Sequence, residues 1–275
     1  MEAAMLLSGI IEAAERNRTQ RSSDYTDADG FLCCGECHER KQTVLEKGPL
    51  RGKKVFCMCA CDRKAQELEE QKRFAEKVRE RKERCFSHKA LWNRTFANDT
   101  GKQPKIKYAK DYVENWERMR EKNVGLIFLG GVGTGKSYAA CSIANALCER
   151  DIGVKFINFA EVLNDLQCCP DRNAYLRKLT EYSLLIIDDF GIQRDTEYAN
   201  EQLFNLIEQR KNSRKPLIVT TNLTLRELRN PTDTKYERIY DRILGLGEAV
   251  MFEGTSLRQD EHRDKRAVLT EVFSS

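Results

Sequence analysis

The sequence has 275 residues and a mass of 31.8 kDa, a length that predicts about two domains. Hydrophobic residues make up 40% and charged residues 33%, and the net charge of +4 is too small to indicate nucleic-acid binding by itself. No apolar run approaches the roughly 20 residues of a membrane span, and the N-terminal segment is a poor signal peptide, so we expect a cytoplasmic protein without a membrane partner.

The N-terminal region, residues 1–61, contains a cysteine cluster. The chain has 11 cysteines, an odd number, and one tight group of them is typical of a metal site in a reduced compartment rather than of a disulfide framework. The spacing suits a zinc ribbon with four thiolate ligands. An iron–sulfur cluster is an alternative, and a third is a segment without metal. The favoured ligands are Cys34, Cys37, Cys57 and Cys59, with Cys61 or Cys33 as substitutes.

A charged linker, residues 62–104, follows the cysteines. Apolar residues such as Ala65, Leu68 and Val78 recur there at three- and four-residue steps, which predicts one helix over 62–90 with a narrow apolar stripe. This stripe is too weak for a coiled-coil seam, so we expect a solvated helix followed by a connector over 91–104.

Residues 105–258 alternate between apolar strands and helices, which predicts a parallel sheet covered by helices on both faces. This is an α/β domain, and a charged tail occupies 259–275. The predicted strands are 125–129, 154–158, 184–188 and 217–221. The predicted helices are 108–119, 137–150, 160–167, 174–181, 197–212 and one that includes 236–243.

A glycine-rich motif between the first of these strands and the following helix matches the phosphate-binding P-loop. Its glycines let backbone N–H groups converge on phosphate oxygens, and the start of the helix adds a positive dipole end. Lys136 is expected to bind the outer phosphates of ATP, and Ser137 to bind Mg²⁺. The motif consists of Gly130, Gly131, Val132, Gly133, Thr134, Gly135, Lys136 and Ser137.

Two acids and an amide follow other buried strands. Asp188 ends one strand and is the expected Mg²⁺ partner, while Asp189 can polarise the attacking water. Asn222, at the tip of the next strand, can hold that water or sense the terminal phosphate. The sequence has neither the signature of an ABC ATPase nor the guanine-binding motif of a GTPase. These residues therefore predict an ATPase.

Arg238 and Arg242 are four residues apart and share one face of a predicted helix. An arginine supplied by a neighbouring subunit can stabilise charge at the terminal phosphate. The alternative is surface ion pairing with Glu237 and Asp241.

The ordered motifs resemble the DnaC/DnaI/IstB branch of AAA+ ATPases. They are Gly-Gly-Val-Gly-Thr-Gly-Lys-Ser, Leu-Ile-Ile-Asp-Asp-Phe-Gly, Val-Thr-Thr-Asn and Glu-Arg-Ile-Tyr-Asp-Arg-Ile, and Phe252–Arg258 resembles the closing strand. The resemblance covers about residues 90–260. It implies an AAA+ domain without a full helical lid, preceded by a small zinc domain that grips a helicase.

The function implied by this resemblance is loading of the hexameric replicative helicase onto single-stranded DNA in a bacterial or phage-infected cell. It also implies self-association and weak ATP hydrolysis without a partner. Arg238 is then the expected arginine finger, and Arg242 or Arg258 a nucleotide sensor. Candidate DNA contacts are Arg172, Arg177 and Lys178, for which an ordinary solvated face is the alternative. Two other functions stay open: an accessory ATPase of DNA transposition, and an ATP-switched binding module that does not hydrolyse ATP.

Overall fold

The computed structural model describes residues 21–191, 196–231 and 233–257, together with residues 266, 269–270 and 273. The chain divides into two compact units, one ending at Lys77 and the other beginning at Val78. Within the described ranges, no helix is both long and apolar enough to cross a membrane.

The first unit is built on two short antiparallel hairpins that the sequence did not reveal. Strands β1 (Tyr25–Thr26) and β2 (Leu32–Cys33) form one pair, and β3 (Gln42–Val44) and β4 (Lys54–Phe56) form the other. These strands are only two or three residues long, too short for an alternating apolar pattern to be visible in the sequence. So small a unit needs a further constraint to be stable.

Helix α1 (Ala60–Cys85) confirms the predicted charged helix but ends earlier than expected. Exposed pairs four residues apart support it, among them Arg73 with Glu69 and Arg79 with Glu83, each worth about 0.3–0.5 kcal/mol. The helix ends where Cys85 and Phe86 become buried. Two 3₁₀ turns, Lys89–Asn93 and Phe96–Asn98, occupy the predicted connector.

The second unit contains a parallel sheet, as the sequence predicted, and it has five strands. The strands are β5 (Gly125–Gly130), β6 (Val154–Asn158), β7 (Leu184–Phe190), β8 (Leu217–Thr221) and β9 (Gly247–Phe252). Their order across the sheet is β6-β7-β8-β5-β9. The closing strand β9 lies before the position that the family resemblance indicated. Because β9 is an edge strand with mixed exposure, its apolar pattern is weak.

Helices cover both faces of this sheet. Successive residues of β5 point to opposite faces, so Leu126 and Phe128 join one apolar core whereas Ile127 and Leu129 join the other. The expected helix 108–119 is interrupted at Asn115, whose φ is −100° and ψ 22°. The helices are α2 (Ile106–Glu114), α3 (Trp116–Glu121), α4 (Lys136–Glu149), α5 (Phe159–Cys168), α6 (Arg172–Glu181), α7 (Glu197–Asn212), α8 (Leu225–Arg229) and α9 (Thr234–Leu246).

Arg210 binds the backbone of two connections, the one between α6 and β7 and the one between α7 and β8. Its guanidinium is fully buried. It donates to the backbone carbonyl oxygens of Thr180, Tyr182 and Ser183, and to that of Pro216 just before β8. Buried carbonyls need donors, and one planar side chain supplies all four here.

Candidate functional site

The loop between β5 and α4 is shaped by glycines that no other residue could replace without strain. Gly130, Gly133 and Gly135 all have positive φ, at 145°, 82° and 99°. A Cβ on Gly130 would lie 2.1 Å from the carbonyl oxygen of Phe252, and one on Gly133 would lie 2.0 Å from Ser256 Oγ. The loop therefore runs close against the segment that follows β9, with its backbone free to face a phosphate.

Lys136 is the first residue of α4, directly after the loop, and is only 5% exposed. Its Nζ donates to the carbonyl oxygens of Gly130 and Gly131 at 2.8 and 2.7 Å, and to Asn222 Oδ1 at 2.8 Å. The structure thus brings the predicted phosphate-binding lysine together with the predicted polar residue at the tip of β8.

The two predicted acids lie at the end of β7, linked by a threonine. Thr220 Oγ1 donates to Asp188 Oδ1 at 2.6 Å and accepts from the backbone N–H of Asp189 at 3.0 Å. Burial raises the pKa of Asp188, while hydrogen bonding from Thr220 and the nearby Ser137 hydroxyl act in the opposite direction. Asp188 and Ser137 thus bring a carboxylate and a hydroxyl together, and oxygen ligands of this kind are the ones that Mg²⁺ prefers.

Asp189 has a left-handed backbone, with a φ of 54°. The register between β7 and β8 shifts at this point, between Ile187 and Phe190. Such a bulge turns a side chain away from the alternation of its strand, and strained residues of this kind cluster at functional sites. Asp189 and Asp188 consequently line the same cavity although they are neighbours in a strand.

This cavity has a volume of about 220 Å³. Its walls come from β6 and the start of α5, from the end of β7, from the start of α4, and from the segment that follows α1. The lining residues are Ser87, His88, Leu91, Arg94, Ser137, Phe156, Asn158, Glu161, Asp188 and Asp189.

A polar stripe on α4 holds the connector segment against this cavity. Tyr138, Ser142 and Asn145 follow at helical spacing on one face of α4. Tyr138 donates to the carbonyl oxygen of Thr95 at 2.7 Å, and Asn145 Nδ2 donates to that of Arg94 at 3.0 Å. Ser142 Oγ lies 3.3 Å from the same Arg94 oxygen. The backbone around Arg94 is therefore fixed by the helix that begins at the phosphate loop.

Gln103 ties the loop to the closing strand on its other side. This side chain is buried, and its Nε2 donates to the carbonyl oxygens of Thr134 at 2.7 Å and Glu253 at 3.2 Å. The backbone N–H of Leu257 donates to the carbonyl oxygen of Gly133 at 3.0 Å. The phosphate loop is thus supported from both flanks.

In the first unit, four thiols converge. Those of Cys34, Cys37, Cys59 and Cys61 all lie within 4.8 Å of one another. The sequence favoured Cys57 in place of Cys61, but the Cys57 thiol donates instead to the carbonyl oxygen of Arg40 at 3.3 Å. Because α1 begins at Ala60, the chain turns there and brings Cys59 and Cys61 to the same side.

Cys33, the other substitute, is directed away from this cluster. Its thiol lies 3.8 Å from Asp27 Oδ2 and 3.6 Å from the carbonyl oxygen of Phe31. Four cysteine thiolates are one of the ligand sets that bind tetrahedral structural zinc, so the four converging thiols suit this metal.

A buried ion cluster supports the cysteine site. Lys41 Nζ lies 3.0 Å from Asp24 Oδ2 and 3.1 Å from Asp62 Oδ2, and all three side chains are buried. Asp62 follows Cys61 directly, so this cluster fixes the first turn of α1 relative to β3. A lysine buried in this way is stable only with such partners.

Comparison with known proteins agrees with this architecture. The sequence model of the IstB-like ATP binding proteins matches residues 63–265. The chain belongs to this family. Its α/β domain is a P-loop AAA+ ATPase fold, as the motif order predicted.

Curated relatives of this IstB-like chain include replication and transposition proteins. The replicative helicase loader DnaC of Escherichia coli K12 is 28% identical over 164 residues, which are 58% of this chain and 64% of DnaC. An ATP-binding protein of an insertion sequence in Mycobacterium tuberculosis is 27% identical over 146 residues, 51% of this chain and 58% of that protein. The matches thus span less than two thirds of either relative.

Solved structures share the fold of this family member. The crystal structure of DnaI matches with a TM-score of 0.52 and 23% identity, over 62% of this chain and 94% of that one. A DnaC helicase loader matches with a TM-score of 0.50 and 21% identity, over 60% and 100% of the two chains.

The predicted arginines of this IstB-like chain lie in different environments. Arg238 is exposed on α9. The guanidinium of Arg242 pairs with Glu208 on α7 and lies 4.5 Å from the centre of the Phe204 ring, so its predicted sensor role requires this pair to open. Arg258 lies outside the described residues.

The predicted DNA contacts lie on α6. Arg177 and Lys178 are exposed. Arg172 Nε donates to the carbonyl oxygen of Leu166 at 3.3 Å, and its guanidinium lies 5.5 Å from the centre of the Tyr198 ring.

Three residues around the phosphate loop and the cavity were not identified from the sequence: Arg94, Gln103 and Thr220. Two threonines, Thr220 and Thr221, end the otherwise apolar strand β8, and they were a signal for a polar contact at this point. Arg94 and Gln103 lie in the connector, and only the fold brings them beside the phosphate loop.

Proposed function

We propose that this chain is an ATPase that loads a hexameric replicative helicase onto single-stranded DNA. The observation that carries the proposal is the convergence of Lys136, Ser137, Asp188, Asp189 and Asn222 at one edge of the sheet. The similarity to the helicase loader DnaC supports this choice of substrate and partner.

In this proposal the phosphate loop binds ATP through its backbone N–H groups, and Lys136 exchanges loop carbonyl oxygens for phosphate oxygens. Ser137 and Asp188 hold Mg²⁺, which neutralises charge on the phosphates when bound. Asp189 accepts a proton from the attacking water, and Asn222 orients that water. Arg238 of a neighbouring subunit completes the site, so turnover is weak until several copies assemble.

We further propose that Cys34, Cys37, Cys59 and Cys61 bind one zinc ion. The support is the number, chemical type and spacing of these thiols. Zinc would then stabilise the first unit, in which the buried apolar residues are few, and this unit would contact the helicase. An iron–sulfur cluster is the other ligand that four thiolates can hold.

DNA binding is assigned in this proposal to α6. Arg177 and Lys178 are exposed cations on this helix, and contacts with phosphate oxygens would be independent of DNA sequence and weakened by salt.

A second candidate function is that of an accessory ATPase in DNA transposition. The family match and the similarity to an insertion-sequence protein favour it. The same ATP site would serve, with a transposase in place of the helicase as partner.

A loading assay distinguishes these functions. The full chain, ATP and the replicative helicase of its own replicon are mixed with single-stranded DNA circles coated with single-strand-binding protein, and helicase bound to DNA is measured. We expect loading with the wild-type chain and none with Lys136→Ala. Stimulation of a transposase, with no loading of the helicase, would contradict the loader and favour the second candidate.

A further inference from the structure

Arg94 faces the same cavity as the residues of the nucleotide site. It lines the cavity together with Ser137, Asp188 and Asp189. It comes from the connector before the AAA+ core, and its backbone is held by Asn145 and Ser142 of α4. The helix that presents Ser137 to the cavity therefore also fixes the position of the Arg94 backbone.

Arg94 is half-buried. Its positive charge acts to lower the pKa of the Cys141 thiol, one helical turn beyond Ser137 on α4, and that of Asp188, although burial raises both. A thiol is a poor hydrogen-bond acceptor. Within the described part of the chain, no carboxylate forms an ion pair with Arg94. Arg94 can therefore bind a charged acceptor without first breaking an ion pair.

The charge balance of the cavity indicates which acceptor that is. Asp188, Asp189 and Glu161 bring negative charge to its walls, and Mg²⁺ at Ser137 and Asp188 would be needed before a phosphate could approach. The planar fork of arginine matches phosphate oxygens and binds them with charge-assisted hydrogen bonds. A lysine at this position would offer only a point charge.

We propose that Arg94 is a catalytic arginine, supplied by the same chain, that binds the terminal phosphate of the ATP held at the P-loop. The inference rests on the ATPase activity proposed above and adds a cation that does not depend on a neighbouring subunit. In the reaction, the water oxygen bonds to the terminal phosphorus while the bond from that phosphorus to the bridging oxygen breaks. ADP leaves with the electron pair, Asp189 accepts the water proton, and Arg94 keeps its protons throughout.

Binding measurements separate this role from a structural one. The full chain and three variants are titrated with Mg²⁺-ADP and with Mg²⁺-ADP–beryllium fluoride, which mimics the terminal phosphate. Arg94→Met removes the charge and keeps the length of the side chain, whereas Arg94→Lys keeps the charge and removes the fork. Arg81→Met is the matched control, because Arg81 is also partly exposed but pairs with Asp151 at 2.5 Å, outside the cavity.

We expect Arg94→Met to weaken the beryllium fluoride complex about tenfold and to leave ADP affinity within about twofold. Turnover should fall by about a hundredfold, with Arg94→Lys intermediate and Arg81→Met unchanged. Equal losses for both nucleotides, or a loss for neither, would overturn the role of Arg94 while leaving the ATP site intact. A wild-type chain that binds neither nucleotide would refute the ATP site itself and the inference with it.

Discussion

Thr220 is the residue through which the two acids of the site are positioned together. Thr220→Val keeps the branched shape in a fully buried position but removes the hydroxyl. The Asp188 carboxylate then loses a bond at 2.6 Å, and the Asp189 N–H loses its acceptor at 3.0 Å.

The magnitude follows from these two bonds. A hydrogen bond to a charged group contributes about 1.5–3 kcal/mol, and an unsatisfied buried N–H costs about 1–3 kcal/mol. Because neighbouring effects are not fully additive, we expect a loss of about 2–5 kcal/mol in the free energy of unfolding. Asp189 would also lose the contact that holds its left-handed backbone, so turnover should fall at least about tenfold.

Thr221→Val, at the adjacent residue, is the control variant. Thr221 is equally buried, and its hydroxyl also makes two hydrogen bonds, donating to Phe190 at 2.7 Å and accepting from Leu223 at 3.1 Å. Neither bond touches an acid. Urea unfolding and ATP turnover at several Mg²⁺ concentrations should show both variants destabilised and only Thr220→Val strongly impaired in turnover. Equal turnover in the two variants would refute this account of how the acids are positioned.

Three further predictions concern the cysteine site, the core and the exposed arginine. Cys61→Ser should lower the zinc content, measured by atomic emission, well below one ion per chain, whereas Cys57→Ser should leave it unchanged. A loss of zinc with Cys57→Ser and none with Cys61→Ser would instead support the ligand set that the sequence favoured. Arg210→Met should lower the free energy of unfolding by about 3 kcal/mol because four buried carbonyls lose their donor; the exposed Lys211→Met on the same helix should change it by less than about 0.5 kcal/mol, and equal shifts would argue against the carbonyl contacts. Arg238→Ala should leave ATP affinity of the isolated chain unchanged and abolish the turnover gained on assembly; unchanged turnover in the assembled state would exclude a finger role.

The sheet and its motifs could be predicted from sequence because their signals are local. The apolar runs that became β5, β7 and β8 are bounded by residues whose chemistry is specific, such as the glycines before Lys136. Parallel strands place their carboxyl ends at one edge of the sheet, so the proximity of Lys136 to Asn222 follows from the topology.

What the sequence did not reveal depends on distant contacts. The hairpins around the cysteines are too short to show a period, and the choice between Cys57 and Cys61 depends on where α1 begins. The bulge at Asp189 and the position of Arg94 likewise depend on partners that are far away in the sequence. Such contacts are set by tertiary packing, which a local pattern does not encode.

Native mass spectrometry can show whether this chain acts on a hexameric helicase through ATP. The full chain is mixed with the replicative helicase of its own replicon, with and without ATP. We expect a helicase hexamer that carries several copies of the chain, with a nucleotide bound in each copy. A helicase hexamer that remains free at every ATP concentration would contradict it.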